Sequence, residues 1–417
     1  MKRIFSYLKN DRTTRSAGIM FGGNMLANIG AYLFHLFTGR LLIPADYGEL
    51  QSLISLSNIL NVPLVTLNTV VTKFVSRFKG QGEKDSVGAL YYRFRNTLFI
   101  ILATCGFVFL IFSSAIVDLL HLGSWVNVIF LDFALFFGMI NVLNRATLQG
   151  LSLFIELTIT QFIESYGKLA LGVGAVLLGW RVPGAYGGFV LIMLISYIYM
   201  IRVLSKSLGT PKSDTPIPLK AMGMYALPSF LMTISVVALY NTDVVLVRHF
   251  LTEYEAGLYA ALSVLGKFIF FGAAPITVTM FPLISEAHAK GERYQGIFIK
   301  SLIFLIAIAG STTLVFSLAP VQSMQILIGS QYLDAAQYLS RFSIFLSLVA
   351  LINLLIHFFL SIHRTKAVFV ILFGAIVQAI ALWVYHPDIA SVVTISLAVS
   401  TVIAVTLSFY YLYVSRT

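Results

Sequence analysis

Apolar runs of about twenty residues, each long enough to cross a hydrocarbon core of ~30 Å as a helix, recur along the whole of this chain of 417 residues. This recurrence constrains the fold more than any other feature. One such run can be a buried core helix. A whole series of them cannot be shielded from water by a globular protein of this size, so lipid must serve as part of the solvent. Composition agrees: 58% of residues are hydrophobic and 11% charged, against roughly 25% charged in an ordinary soluble domain. The runs do not alternate polar and apolar with a period of two, as the strands of a membrane barrel do. An all-α polytopic membrane protein is expected.

Twelve spans are expected, at about 17–38, 48–72, 95–117, 125–147, 153–179, 184–204, 221–247, 256–281, 297–319, 339–360, 366–385 and 389–413. Of the 28 Lys and Arg residues, Arg40, Arg181, Arg248 and Arg341 fall at one set of ends and Lys168 and Lys267 fall within spans. All the others lie on the side of the N-terminus. Basic residues collect on the cytoplasmic side, so both termini are expected inside, in a multi-pass protein of the cell's inner (cytoplasmic) membrane. This asymmetry accounts for the net charge of +11 without a nucleic-acid partner. The basic start "MKRIFSYLKNDRTTRS" has no small-x-small cleavage pattern after it, so the first span is read as a retained signal anchor. Cys105 is the one cysteine, which excludes an intramolecular disulfide.

The chain also repeats itself. "YGELQSLISL" aligns with "AGLYAALSVL", pairing Gly48 with Gly257, Leu53 with Leu262 and Leu56 with Leu265. At the same offset, Gly82 pairs with Gly291 and Glu83 with Glu292. A repeat of six spans keeps its orientation, so two parallel six-helix lobes are expected: 1–206 and 221–417, joined by a polar cytoplasmic linker at 207–220. Such repeats place a substrate site between the halves, near paired helix breaks. Pro63 and Pro275, in spans 2 and 8, are the candidates for those breaks; ordinary packed kinks are the alternative.

Polar residues inside the spans then mark the site. Thr158, Gln161, Ser165, Lys168 and Gly172 recur at helical spacing in span 5, beside Glu164. Asn24, Asn28, Tyr32 and His35 form a stripe in span 1, and Gln51, Ser55, Asn58 and Lys73 form one in span 2. Lys168 lies ~22 Å from one end of its span and ~16 Å from the other at ~1.5 Å per residue. That is too deep to snorkel, and an unpaired charge there costs at least about 3 kcal/mol. Glu164 precedes it by four residues, the favourable order for a helix pair. Two readings follow: a self-neutralising pair that fixes packing, or a cavity lysine that binds an anion and is kept charged by Glu164. Lys267 has no charged counterpart in the first half, where Asn58 stands opposite. The candidate substrate-binding residues are Lys168, Lys267, Glu164, Gln161, Asn24, Asn28 and Asn58. Asp243, which can also pair with Arg248, Asp132 and His35 are candidate coupling groups. No nucleotide-binding loop, metal-ligand cluster or catalytic constellation is present in the sequence, so no enzyme, metal or cofactor is expected.

Three stretches resemble polysaccharide-synthesis flippases of the multidrug/oligosaccharidyl-lipid/polysaccharide (MOP) exporter superfamily. They are "GRLLIPADYGELQSLISLSNIL…VVTKFVSRFKGQGE", "TLQGLSLFIELTITQFIESYGKLALGV" and "NTDVVLVRHFLTEYEAGLYAALSVLGK…TMFPLISEAHAKGE". The resemblance covers nearly the whole chain. It implies a V-shaped, two-lobed fold with alternating access. It also implies a cargo: a polyprenyl-diphosphate-linked oligosaccharide moved from inner to outer leaflet for cell-surface polysaccharide. Lys168 and Lys267 would meet the diphosphate, and the polar stripes would meet the sugars. Membrane lipid is an expected partner and a polysaccharide polymerase a candidate one. Span 1 lacks the acid frequent in the drug-extruding branch and the arginines of the lipid II branch. The alternatives are a cation-coupled small-molecule antiporter of the same fold and, third, a membrane-embedded enzyme of polysaccharide assembly.

Overall fold

The computed structural model describes residues 12–208 and 219–414. Most of the linker expected at 207–220 lies outside them. The described residues form helices and no strand. In chain order these are α1 (Arg12–Leu41), α2 (Pro44–Leu60), α3 (Val62–Gly80), α4 (Lys84–Ile111), α5 (Ser113–Leu120), α6 (Val126–Gly150), α7 (Phe154–Leu177) and α8 (Arg181–Ser207). The second half continues with α9 (Leu219–Leu239), α10 (Thr242–Phe250), α11 (Glu253–Ala289), α12 (Gln295–Leu318), α13 (Pro320–Leu327), α14 (Ala336–Ser361), α15 (Ala367–Val384) and α16 (Ile389–Val414). The stretches expected as spans are helical, those at 48–72, 95–117 and 221–247 being divided between α2 and α3, α4 and α5, and α9 and α10. Among the described residues, eight helices are long and apolar enough to cross a membrane, or ten when each bent pair counts as one span. Helix α7 is outside that number because Gln161, Glu164, Ser165 and Lys168 interrupt its apolar run.

The bends correct one expectation. Helices α2 and α3 meet at 43°, with Pro63 in the first turn of α3. Pro lacks the N–H a helix interior needs but is tolerated in a first turn, so a break at Leu60–Val62 follows. Pro275, however, sits inside the unbroken helix α11. The second bend, also 43°, falls instead between α9 and α10 in the preceding span, at Tyr240–Asn241. The bend at α2–α3 also divides the stripe expected along span 2. Gln51 and Ser55 are buried and Asn58 is exposed on α2, while Lys73 lies on α3.

The helices gather into two compact units: Met1–Leu41 with Leu60–Leu227, and Leu42–Ile59 with Pro228–Thr417. The segment 42–59, expected with the first half, packs in the second unit. Glycine at both repeat-related positions allows this. A Cβ on Gly48 would stand 2.8 Å from the Gly257 backbone nitrogen, and one on Gly257 would run into the Pro44 backbone. Around this contact Arg248, 2% exposed, lies 3.8 Å from Glu49 and from Glu253 and donates to the Ala45 carbonyl at 3.3 Å. Gln331 donates to the Leu42 carbonyl at 2.7 Å.

The first unit is held by two features. Val71, Val75, Leu90, Leu143 and Met200 are fully buried in one apolar cluster. Small residues also bring α1 onto α7: a Cβ on Gly30 would press on Ser165 at 3.2 Å, and one on Gly172 would meet the Phe34 ring at 2.9 Å. Close backbone approach through small residues is the usual way helices associate where lipid removes the hydrophobic drive between them.

Candidate functional site

The charged residues that the sequence places within spans meet polar partners in both units. In the first, the pairing expected along α7 is not the one formed. Glu164 turns to the neighbouring helices: Arg145 of α6 donates to one carboxylate oxygen at 2.7 Å, and Ser196 of α8 donates to the other at 2.8 Å. The two charged side chains are 24% and 15% exposed. Both Glu164 oxygens are therefore engaged by groups other than Lys168. The Glu164–Lys168 ion pair is replaced by an interhelical one. The physical reason is geometric: a guanidinium across the helix interface meets the carboxylate head-on, whereas an i,i+4 lysine must fold back along its own helix.

Lys168 is thereby left to aromatic neighbours. Its ammonium lies 5.3 Å from the centre of the Phe34 ring on α1 and 6.0 Å from that of Phe189 on α8. Phe34 is 2% exposed and cannot swing away. Cation–π attraction of this kind contributes about 0.5–2 kcal/mol, less than the ~2.5–3.5 kcal/mol cost of a lysine at mid-span. Among the described residues no carboxylate lies within ion-pair distance of this half-buried ammonium, which leaves it able to meet an anion. Gln161 is half-buried one turn before Ser165, and Asn28 is exposed on α1; the side chain of Asn24 lies outside the described residues. His35 packs edge-on against Phe34 at 5.5 Å. Asp132, on α6, stands against α4, where a Cβ on Gly106 would come within 2.8 Å of its carboxylate.

The second site is built on the bend between α9 and α10. Breaking a helix frees carbonyls that lipid cannot satisfy. Here Asn241 donates to the Val237 carbonyl at 3.0 Å, and Gln378 of α15 donates to the Leu239 carbonyl at 3.0 Å and to Ser396 of α16 at 3.1 Å. The Asn241 side-chain oxygen accepts from the Lys267 ammonium at 3.0 Å. Asp243, wholly buried, accepts from the Tyr259 hydroxyl at 2.6 Å and from the Val244 N–H at 2.9 Å. Its alternative partner Arg248 goes to Glu49 and Glu253 instead. The structure thus brings Lys267 and Asp243 together at one helix break. Asn58, opposite Lys267 in the repeat, is exposed on α2.

The helix that carries Lys267 and Tyr259 starts at a capping box. Thr252 accepts from the Glu255 N–H at 3.3 Å and Glu255 accepts from the Thr252 N–H at 3.1 Å. Arg145, Ser196, Asn241, Tyr259 and Gln378 were not among the residues expected from sequence. Arg145 had a signal, since it falls inside an expected span, but its position near the span's end reads equally well as a cytoplasmic flank. No group of residues suited to hold a metal ion occurs among the described residues.

Comparison with known proteins decides the family. The sequence profile described as "Polysaccharide biosynthesis protein" matches residues 13–288. The chain belongs to that family. Both polar sites of this polysaccharide biosynthesis family member have their charged residues within the matched stretch: Arg145, Glu164 and Lys168 in one, Asp243 and Lys267 in the other. No curated protein matches the chain. Solved structures match over almost its full length. A multidrug resistance MATE family transporter of the MOP superfamily aligns with TM-score 0.78 at 13% identity, covering 96% of this chain and 99% of its own. The lipid II flippase MurJ aligns with TM-score 0.73 at 10% identity, covering 94% and 87%. A Vibrio cholerae MATE transporter aligns with TM-score 0.65 at 15% identity, covering 99% and 98%. At such identities the likeness establishes the fold: this family member is a multi-pass membrane protein built as transporters and flippases of the MOP superfamily are.

Proposed function

We propose that the protein moves a polyprenyl-diphosphate-linked oligosaccharide from the inner to the outer leaflet of the cell membrane, by alternating access, for cell-surface polysaccharide synthesis. The observation that carries this reading is the state of Lys168. Its ammonium is held between Phe34 and Phe189 while the one acid a helical turn away is taken by Arg145 and Ser196. A diphosphate is the ligand that discharges such a site through charge-assisted hydrogen bonds. The family's description as polysaccharide biosynthesis proteins supports the same cargo, as does the likeness to a lipid II flippase. Gln161 and Asn28 would offer amides to sugar hydroxyls. Asp243 with Lys267 and Asn241 would form the coupling group, since a change of charge at a helix break is transmitted along both of its arms. A polymerase that consumes the delivered repeat unit would be the partner. No cofactor enters this scheme.

The test is reconstitution in vesicles with a polyprenyl-diphosphate oligosaccharide, read by the fraction of glycan exposed to an external glycosidase. Lys168→Ala is expected to slow exposure about tenfold or more, the weight of one charge-assisted hydrogen bond. Lys168→Arg is expected to retain most of the rate. Equal rates for wild type and Lys168→Ala would overturn the assignment. A second reading is a cation-coupled small-molecule antiporter, supported by the likeness to a multidrug transporter. It predicts drug export by vesicles that leave the glycan lipid unmoved.

A further inference from the structure

Two cations, Arg145 and Lys168, stand around one carboxylate in the first unit, and the packing of three helices assigns Glu164 to Arg145. The register of α7 on α8 is fixed at Gly167, where a Cβ would run into the Ile192 side chain. That contact sets Ser196 opposite Glu164 and Phe189 opposite Lys168. Helix α6 is fixed to α8 in turn, because Asn141, fully buried, donates to the Met193 carbonyl at 2.9 Å. Arg145 follows Asn141 by one turn and lies on the same face. Ser196, also fully buried, completes the grip. On the same helix Ser205 and Ser207 donate to carbonyls of their own helix at 3.0 Å, the local bond a helical serine readily makes. Ser196 donates to Glu164 instead, at 2.8 Å.

We infer that Arg145 is a positioning residue for the anion site: by holding Glu164 across the helix interface it keeps Lys168 open to a diphosphate, without meeting the diphosphate itself. This role rests on the transport reading, in which Lys168 meets the phosphate of the cargo. Charge supplies the reason. Arg145, Glu164 and Lys168 together carry +1. Without Arg145 the remaining two carry none, and they stand four residues apart with the acid first, the order that favours pairing along a helix. Their surroundings are apolar, where opposite charges attract more strongly than in water. Lys168 is the one basic residue on α7, so a released Glu164 has it as the nearest cation along its own helix. An arriving anion would then have to break an ion pair before binding. Lys267 has an acceptor of its own, the Asn241 side-chain oxygen at 3.0 Å, so the same reasoning does not extend to the second unit.

The test is calorimetric titration of the full chain in detergent with farnesyl diphosphate, and with farnesol as the uncharged control. Lys168→Ala is expected to weaken diphosphate binding about tenfold, the weight of one charge-assisted hydrogen bond. Arg145→Gln is expected to weaken it by a similar factor, about tenfold, and to leave farnesol binding unchanged. Arg145→Gln combined with Glu164→Gln is expected to return to within about threefold of wild type, because no carboxylate is left to occupy Lys168. A purely structural role for Arg145 does not predict this rescue, since the double variant also lacks the ion pair. Ser196→Ala covers the case in which Arg145→Gln does not fold. It removes one of the two donors to Glu164, and should weaken diphosphate binding about two- to threefold but cause no further loss in a Glu164→Gln background. Undiminished binding by Arg145→Gln, a double variant as weak as Arg145→Gln, or an equal loss for Ser196→Ala in both backgrounds would each overturn the positioning role while Lys168→Ala still binds poorly. Binding by Lys168→Ala as tight as wild type would overturn the transport reading and the positioning role together.

Discussion

Replacing Glu164 and its two basic neighbours, singly and in pairs, separates the ion pair that forms from the one the helix spacing suggests. At 2.7 Å and an effective dielectric of about 20, the Arg145–Glu164 attraction is about 6 kcal/mol before desolvation. Desolvation removes most of this, and a hydrogen bond between charged partners nets about 1.5–3 kcal/mol. Because the side chains retain 24% and 15% exposure, about 2 kcal/mol is expected as the coupling in a double-mutant cycle of Arg145→Gln and Glu164→Gln. The cycle of Lys168→Gln and Glu164→Gln should show only about 0.2–0.5 kcal/mol, the value of an i,i+4 helix pair. Unfolding by SDS titration in mixed micelles gives both numbers. Lys168→Gln alone should leave stability unchanged or raise it, since it removes a buried charge that no carboxylate contacts, while transport falls. A larger coupling for Lys168 than for Arg145 would refute the structural assignment and restore the self-neutralising pair on α7.

Other expected outcomes follow from the second unit and the surface. Gly257→Val should destabilise by several kcal/mol, because its added atoms meet the Pro44 backbone, which cannot move aside. Gly296→Ala, in open space on α12, should stabilise by about 0.5–1 kcal/mol; a melting series compares the two. Tyr259→Phe should cost about 1.5–3 kcal/mol by removing the hydrogen bond to buried Asp243, with a smaller loss in a background that already carries Asp243→Asn. Asp388, between α15 and α16, is held below the usual carboxylate range by hydrogen bonds from the Ser391 hydroxyl and N–H. A depressed folded-state pKa contributes stability above the ordinary value, about 3.9, that is lost as pH falls through the folded-state value. Melting temperature below pH 5 should therefore fall less steeply for Asp388→Asn than for wild type.

Glu164 and Lys168 show why a polar residue in an apolar helix is easy to find and hard to pair. Their depth and their cost in lipid follow from local sequence, because both depend only on the run that surrounds them. Their partners do not. Arg145 and Ser196 reach Glu164 from two other helices, and no periodicity along α7 contains that information. Lys267 and Asp243 are similar. Each stands out singly, but their meeting at Asn241 depends on where the chain bends. Proline is a guide to that bend in α3 and a false one in α11, which runs on through Pro275.

The sequence by itself determined the helical class and the membrane character of the chain. It also carried the resemblance to a flippase family. These rest on hydrophobic runs and charge asymmetry, which are local and additive along the chain. Only the tertiary structure decided that α2 packs with the second unit through Gly48 and Gly257, that α9 and α10 break at Asn241, and that Lys168 is flanked by rings while its nearest acid is bound elsewhere. Those outcomes depend on contacts among residues far apart in sequence, and in a membrane such contacts are chosen by close packing and polar satisfaction, because lipid leaves hydrophobicity nothing to discriminate.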